Sequence, residues 1–557
     1  LSAPALRPRR AWIGRLLLPP AERRGEGVLF EAFATPAGQE CWRGRRLRLE
    51  WQEGPLALPR FDVHFSDEAR LSAAAANVHP VRLNRWRAVT PLESLAGARP
   101  EDDVLVRLPE PVQLVAGGVD PPLLRIQAEP VQTTGLAEAL VRFVEPLAGD
   151  LWRAESFDPA RGRFDGGALR LRLPSPLANG EGILPSTSRG LERSPLNADG
   201  WYVAGVPDGE GGFLVQSLLP RGLRRFAPER VICGPRAAWH YVKRESWRDP
   251  QAGRLSAVLV CGRPIAPADA LAEWRAGDRL LVIHLFGGIG GEQREAALAA
   301  GVCTGHFALG LAVLEPEPLA GELAVRVEYR QVYAHNPEGI IAGVHDRWRY
   351  LGDRQWGWLG SRPIADILVR HPPLTGRYAV EGEERGPLEG LARHLAVMTA
   401  RYRLGDGTGA TFVGPAYNCA QDSSQALFAA MRALRQRVRS LDRAELRAWE
   451  QQDPEQAARL EALLRLERAL LRALLPIAAL RRDWREGEER LGGSPEERPL
   501  ENLLRGLGSW RTLLPRLAAD TLLRVLLCQG ASALVLRADQ LGGEHPEIAP
   551  VAPLTLF

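Results

Sequence analysis

At 557 residues the chain is too long for a single hydrophobic core and implies two to four domains. With 45% hydrophobic and 25% charged residues it has the make-up of a globular protein rather than a disordered or fibrous one. The net charge of +4 is almost all arginine, Lys243 being the single lysine, and the arginines alternate with Asp and Glu, which argues against nucleic acid as a partner.

The six cysteines, Cys41, Cys233, Cys261, Cys303, Cys419 and Cys528, form no C-x-x-C pair. Their wide spacing speaks against a zinc ribbon or a disulfide framework and fits a reducing compartment, so a cytoplasmic location is expected. No apolar run approaches the roughly 20 residues of a membrane helix, so no integral membrane insertion is expected. The first apolar run, AWIGRLLLPP from Ala11, is broken by Arg15 and makes a poor signal-peptide core. The chain starts on Leu1, which leaves export open.

In chain order, residues 1–235 read as β-rich. RRLRLEW (45–51), ALRLRLP (168–174) and GGFLVQSLLP (211–220) alternate or form short apolar runs, and LPEPVQ and VPDGEGG punctuate them as turns. One or two small barrels or sandwiches are expected there. Residues 236–425 read as a mixed α/β domain. PADALAEWRAGD predicts a helix, RLLVIHLF a buried strand and GGIGGEQREAALAAG a glycine turn into a helix. HFALGLAVL and ELAVRVEYRQVYAH predict two strands joined by EPEPLAG, while RPIADILVR and PLEGLARHLAVMTARYR predict helices. Residues 426–557 read as helical, with a loop-like tail from LGGEHPEIAP onward. Leu427, Met431, Leu434 and Val438 recur on one helix face, which predicts a hairpin or bundle packed on the preceding domain. A helical oligomer contact through 426–480 is the alternative. The expected class is thus multidomain α+β.

The stretch that points to chemistry is GPAYNCAQDSSQALFAAMR (414–432). Asn418 is a good N-cap and Gln421 stands three residues on, so Cys419 falls in the first helical turn. There the unpaired N–H groups and the helix dipole favour a thiolate, and the thiol pKa is expected to drop. Gln421 is a candidate donor to an oxyanion. A later helix start, with Cys419 as a buried filler, is the plain alternative.

A nucleophilic cysteine needs a base. His306 opens the strand HFALGLAVL, and folding the next strand back brings Gln331, Tyr333 or His335 beside it, according to a register the residues leave open. His335 is the rival base. His335 and His345 with Glu338 or Asp346 could ligate a metal, but no two histidines share a helix face at ligand spacing, so no metal and no other cofactor is expected. Within DRWRYLGDRQWGWLGSRP (346–363), Trp356 and Arg354 are candidate binding residues; the alternative is a packed corner in which arginine stems cover indole rings. FGGIGGEQ fits neither a P-loop nor a dinucleotide fingerprint, and no G-x-S-x-G elbow occurs.

A cysteine at a helix start, a histidine on a strand and a polar group on the next strand resemble the papain-like cysteine hydrolases. With the histidine strand first, the order is similar to the circularly permuted members of that superfamily. The resemblance implies a papain-like middle domain acting on a peptide or protein substrate. The stretch EYRQVYAHNPEGIIAGVHDRWRYLGDRQWGWLGSRP, continued by MTARYRLGDGTGATFVGPAYNCAQDSSQALFAAMR, also resembles a group of cyanobacterial proteins labelled predicted Abi (CAAX) family proteases, most strongly from Glu328 to Arg432. That label implies a membrane-embedded glutamate protease with an E-E-x-x-x-R motif. Here Glu383-Glu384 is followed by Arg385, and Leu388 stands where the arginine would be.

Overall fold

A computed structural model describes residues 6–52, 60–61, 88–98, 104–115, 121–209, 212–295, 305–332, 339–404, 418–474, 500, 504 and 514–555. Helices and strands take similar shares, 31% and 35%, so the chain is a mixed α+β protein.

Alternation does its expected work early in the chain. In the strand Ala137–Pro146 the residues Ala137, Ala139, Val141 and Phe143 point to one side. This strand pairs with Leu151–Ser156, then Ala168–Arg172, Phe213–Pro220 and Trp201–Pro207 follow, and Trp201–Pro207 pairs back to the first. The result is a closed five-stranded barrel, filled by Val141, Phe143, Trp152, Leu171, Trp201 and Phe213. Closure removes the sheet edges that invite association. Gly205 allows the close approach of its neighbour Phe213–Pro220, where any Cβ would lie 1.9 Å from the Leu214 carbonyl oxygen.

A second sheet, fifteen strands long among the described residues, runs through all three stretches of the chain. Its site-bearing part is built from β1 (Arg254–Cys261), β2 (Arg279–Phe286), β3 (His306–Glu317), β4 (Glu322–Gln331), β5 (Gly343–Asp346), β6 (Pro363–Arg370) and β7 (Ser532–Asp539). Their spatial order is β1-β7-β6-β2-β3-β4-β5. Beyond β5 the sheet continues through Val131–Gln132 into the N-terminal strands Ile13–Leu17, Val28–Ala34 and Arg46–Trp51. Residues 235 and 425 are therefore not breaks in the architecture: strands from the first and last stretches complete the middle one.

Three expectations are corrected. RPIADILVR is strand β6, not a helix; it is covered on both faces, so it shows no amphipathic period. The glycine run after β2 does not turn straight into a helix. Gly288–Gly291 is a short strand paired with Ile548–Val551 of the tail, which was expected to be loop. Glycine suits the close approach, since a Cβ on Gly287 would lie 2.1 Å from the Val551 carbonyl oxygen. Finally, the last stretch is not wholly helical, because β7 inserts between β1 and β6 with unbroken antiparallel register on both sides.

Helices α1 (Pro387–Leu404), α2 (Cys419–Ser440), α3 (Pro454–Leu474) and α4 (Pro515–Cys528) cover one face of this sheet. The predicted stripe Leu427, Met431, Leu434 and Val438 is buried there, with Leu463, Leu466 and Leu470 of α3 and Ile283, Phe307, Ile367 and Val535 of the sheet. Each such leucine contributes about 1.5–3 kcal/mol of transfer free energy. The stripe thus packs within the chain, on the sheet, as its period predicts. The opposite face of the sheet, through Val282, Phe286, Tyr329, Leu368 and Leu536, packs towards Tyr202 and Leu219 of the barrel. Among the described residues no helix is long and apolar enough to cross a membrane.

Candidate active site

Helix α2 starts where its capping chemistry puts it. Asn418 has extended backbone, and its side-chain oxygen accepts from the Gln421 N–H at 2.9 Å. Cys419 is the first helical residue. The helix packs against β3, and the Phe307 N–H donates towards the Cys419 sulfur.

His306 opens β3. Its Nε2 meets the Gln331 Oε1 at 2.6 Å, and its ring stacks on Phe286 with centroids 5.0 Å apart. Gln331 ends β4. The antiparallel register of β3 and β4, Gly310 opposite Tyr329, carries Gln331 to this end of the sheet. Among the three orienting residues left open by the sequence, Gln331 is the one joined to His306; Tyr333 and His335 lie outside the described residues.

The expected drop in the thiol pKa does not occur. Burial dominates and pushes the Cys419 thiol up to about 11, although the N–H groups of Phe307, Ala420 and Cys419 itself favour the thiolate. Asp422, one turn along, adds to the rise. No imidazole is among the groups that act most strongly on the sulfur. Cys419 is 6% exposed, and the polar residues after it, Gln421, Asp422, Ser423, Ser424 and Gln425, are buried as well. Gln421 Oε1 and Ser423 Oγ are buried without a hydrogen-bond partner among the described residues. A helix start this polar and this buried is costly unless something polar is accommodated there.

Beside this end of the sheet lies a buried network that the sequence reading did not single out. His284 Nδ1 meets Asp366 Oδ1 at 2.7 Å across β2 and β6. The Tyr329 hydroxyl donates to Asp366 Oδ2 at 2.5 Å, and Arg347 Nη2 reaches the same oxygen at 3.1 Å. Burial would raise the Asp366 pKa, but the bonds from His284 and Tyr329 and the Arg347 charge outweigh it and hold the carboxyl below its usual value. Tyr350 packs on His284, Tyr329 and His345, at centroid distances of 5.1, 4.8 and 5.8 Å. The available signal was one polar residue in each of two otherwise apolar strands, RLLVIHLF and PIADILVR.

The candidate binding residues part company. Trp356 is half-buried beside Trp358 in a surface cleft. Arg354 is 5% exposed and donates to the Pro174 carbonyl at 3.2 Å, so it is a buried residue and not a presented anchor. Asp353 pairs with Arg349, as the packed-corner alternative allows. His345 is fully buried, and burial holds its pKa well below the usual value. Among the described residues no group of three His, Cys, Asp or Glu is placed to hold a metal. Glu383 and Glu384 are exposed on a two-stranded hairpin, with Arg437 on Glu383 at 2.9 Å and Arg377 on Glu384 at 3.7 Å.

Compared with protein-family models, curated proteins and solved structures, the chain matches none of them.

Proposed function

We propose that the chain is a cysteine-type hydrolase acting on peptides or related amides, with Cys419 as nucleophile, His306 as base and Gln331 orienting the imidazole. The observation that carries this reading is the gathering of residues from three distant stretches at one end of one sheet. The Gln331 amide oxygen holds His306 Nε2, and the Cys419 thiol sits on the next peptide N–H after His306.

An amide oxygen only accepts, so Nε2 keeps its proton and Nδ1 is the basic nitrogen of the neutral ring. With substrate bound, Nδ1 takes the thiol proton as the sulfur bonds to the carbonyl carbon, and the carbonyl oxygen becomes an oxyanion. The proton then passes to the leaving amine, the C–N bond breaks, and water releases the acyl group from its thioester. The raised thiol pKa keeps the resting thiol protonated, so proton transfer accompanies attack and no thiolate stands ready beforehand. The stretch 236–425 carries the histidine, the glutamine and the cysteine. A free thiol nucleophile suits a reducing compartment, and we place the protein in the cytoplasm on that ground.

A buried neutral thiol also favours a second reading, an assembly of binding modules without catalysis. A peptidyl epoxide, followed by peptide mapping, separates the two. Catalysis predicts labelling at Cys419 ahead of the exposed Cys41 and Cys528, and loss of that labelling in His306→Ala with the fold retained. Labelling of Cys41 and Cys528 alone leaves only the binding assembly.

A further inference from the structure

The ladder of the large sheet brings together two cysteines that lie far apart in the chain. The strand Arg230–Cys233 ends that sheet and pairs in parallel with β1, and the last residues of the two strands, Cys233 and Cys261, are in-register partners. Neighbouring strands stand about 4.8 Å apart, inside the roughly 4.4–6.8 Å between Cα atoms that a disulfide spans. Both side chains leave the same face. Val231 and Leu259, two residues back on each strand, pack in one core cluster, and the pleat carries Cys233 and Cys261 to that side as well. The Cys233 thiol lies within hydrogen-bonding reach of the Cys261 sulfur, and both are free thiols. The other described cysteines, Cys41, Cys419 and Cys528, all sit in helical segments.

The surroundings favour joining the two sulfurs. The Gly234 N–H donates to the Cys261 carbonyl at 2.9 Å and to the Arg263 carbonyl at 3.0 Å, which pins the backbone just past both cysteines. Access is divided between them. Cys233 is partly exposed, so a small reagent reaches it, whereas Cys261 is 0% exposed and meets only its neighbours. The Arg263 guanidinium, which Glu273 also holds, is turned towards the Cys261 sulfur, so a cation stands beside the thiol that must attack second. Burial pushes the Cys233 thiol up, so the first exchange is the slow one.

We propose that Cys233 and Cys261 are a reversible redox pair, which a small disulfide of the glutathione class closes into a cross-strand bond that clamps the edge strand to the sheet. The Cys233 sulfur attacks the reagent's disulfide, takes one glutathione and releases the other as a thiol with the first proton. The Cys261 sulfur then attacks the Cys233 sulfur, and the second glutathione leaves as a thiol with the second proton. Two protein thiols are oxidised to one disulfide, and one glutathione disulfide is reduced to two thiols. The pair needs nothing from Cys419 and stands or falls apart from the hydrolase reading.

The full chain is equilibrated with mixtures of reduced and oxidised glutathione, quenched with acid, alkylated and mapped as peptides without reduction. A Cys233–Cys261 linkage is expected in mixtures at least about tenfold more reducing than those that place glutathione on the exposed Cys41 or Cys528, and excess dithiol reverses it. Denaturing urea cuts its yield at least about tenfold, because the fold supplies the proximity. Amide exchange at residues 231–233 slows at least about tenfold in the linked form. Cys233→Ser abolishes the linkage with an unchanged melting temperature. Two separate thiols, or glutathione on Cys233 alone, in mixtures that modify Cys41 overturn the pair, as does equal linkage in urea. Unchanged amide exchange in the linked form overturns the clamp.

Discussion

Two buried imidazoles lie on neighbouring strands of the central sheet, and their surroundings differ in kind. His284 is gripped by the Asp366 carboxylate, which Tyr329 and Arg347 also bind, in the buried interior. His306 is held by a neutral amide and an aromatic face, next to a thiol at the start of a helix. A buried carboxylate locks its partner into a network of charges; an amide orients the ring through one neutral contact. The first arrangement suits a structural rivet, and the second suits proton transfer.

The largest test of this contrast is Asp366→Ala. It strands the Arg347 guanidinium and the His284 ring in the interior, and the expected loss is about 3–5 kcal/mol in a urea unfolding curve. Replacing Asp366 and Arg347 together by Leu and Met is expected to cost much less, because no unpaired charge is left behind. Near-equal losses for the single and double variants would mean that the network is not held by its charges. Next in size, Leu466→Ala removes a fully buried side chain between α3 and the sheet and is expected to cost about 2–5 kcal/mol while leaving Cys419 labelling unchanged. A change in labelling would show that the helical layer positions the thiol.

Acid stability gives a third test. Burial pushes the His371 pKa down to about 4 from 6.5, so the folded protein keeps this ring neutral. The unfolded chain binds a proton below pH 6.5, so the stability from neutrality is whole above that value and falls away between 6.5 and 4. The loss amounts to at most about 3 kcal/mol. His371→Gln is expected to flatten that limb of a stability–pH curve; an unchanged limb would assign it to other groups. The smallest effect on stability, about 1 kcal/mol, belongs to Gln331→Glu. It gives His306 a partner like that of His284. The added charge raises the imidazole pKa, and the acid limb of Cys419 labelling is expected to move up by about one pH unit. No movement would mean that Gln331 does not hold the reacting ring.

What could be read from the sequence follows the range of the interaction. The cap at Asn418 and the helix start at Cys419 depend on neighbours three residues apart and were legible. Gln331 was narrowed only to three residues, because strand register depends on a turn whose geometry composition does not fix. The helix read into RPIADILVR failed because a strand buried on both faces has no period, and Asp366, its one irregular residue, finds His284 82 positions away. The sign of the Cys419 shift was missed for a similar reason. The dipole favouring the thiolate is local, whereas the burial that outweighs it is assembled from β3 and the helices packed above it.

The placement of β7 has a consequence for how the molecule comes off the ribosome. Strands β1 and β6 have no direct ladder with each other; β7 joins them, and among the described residues it is made after every other strand of this sheet. Until it emerges, the nascent chain carries two open strand edges flanking the gap, each a template for pairing with another chain. A chain cut upstream of Ser532 would therefore carry a sticky half-sheet, and Cys419, which shares its core with α4 and β7, would reach its final setting only once both are in place.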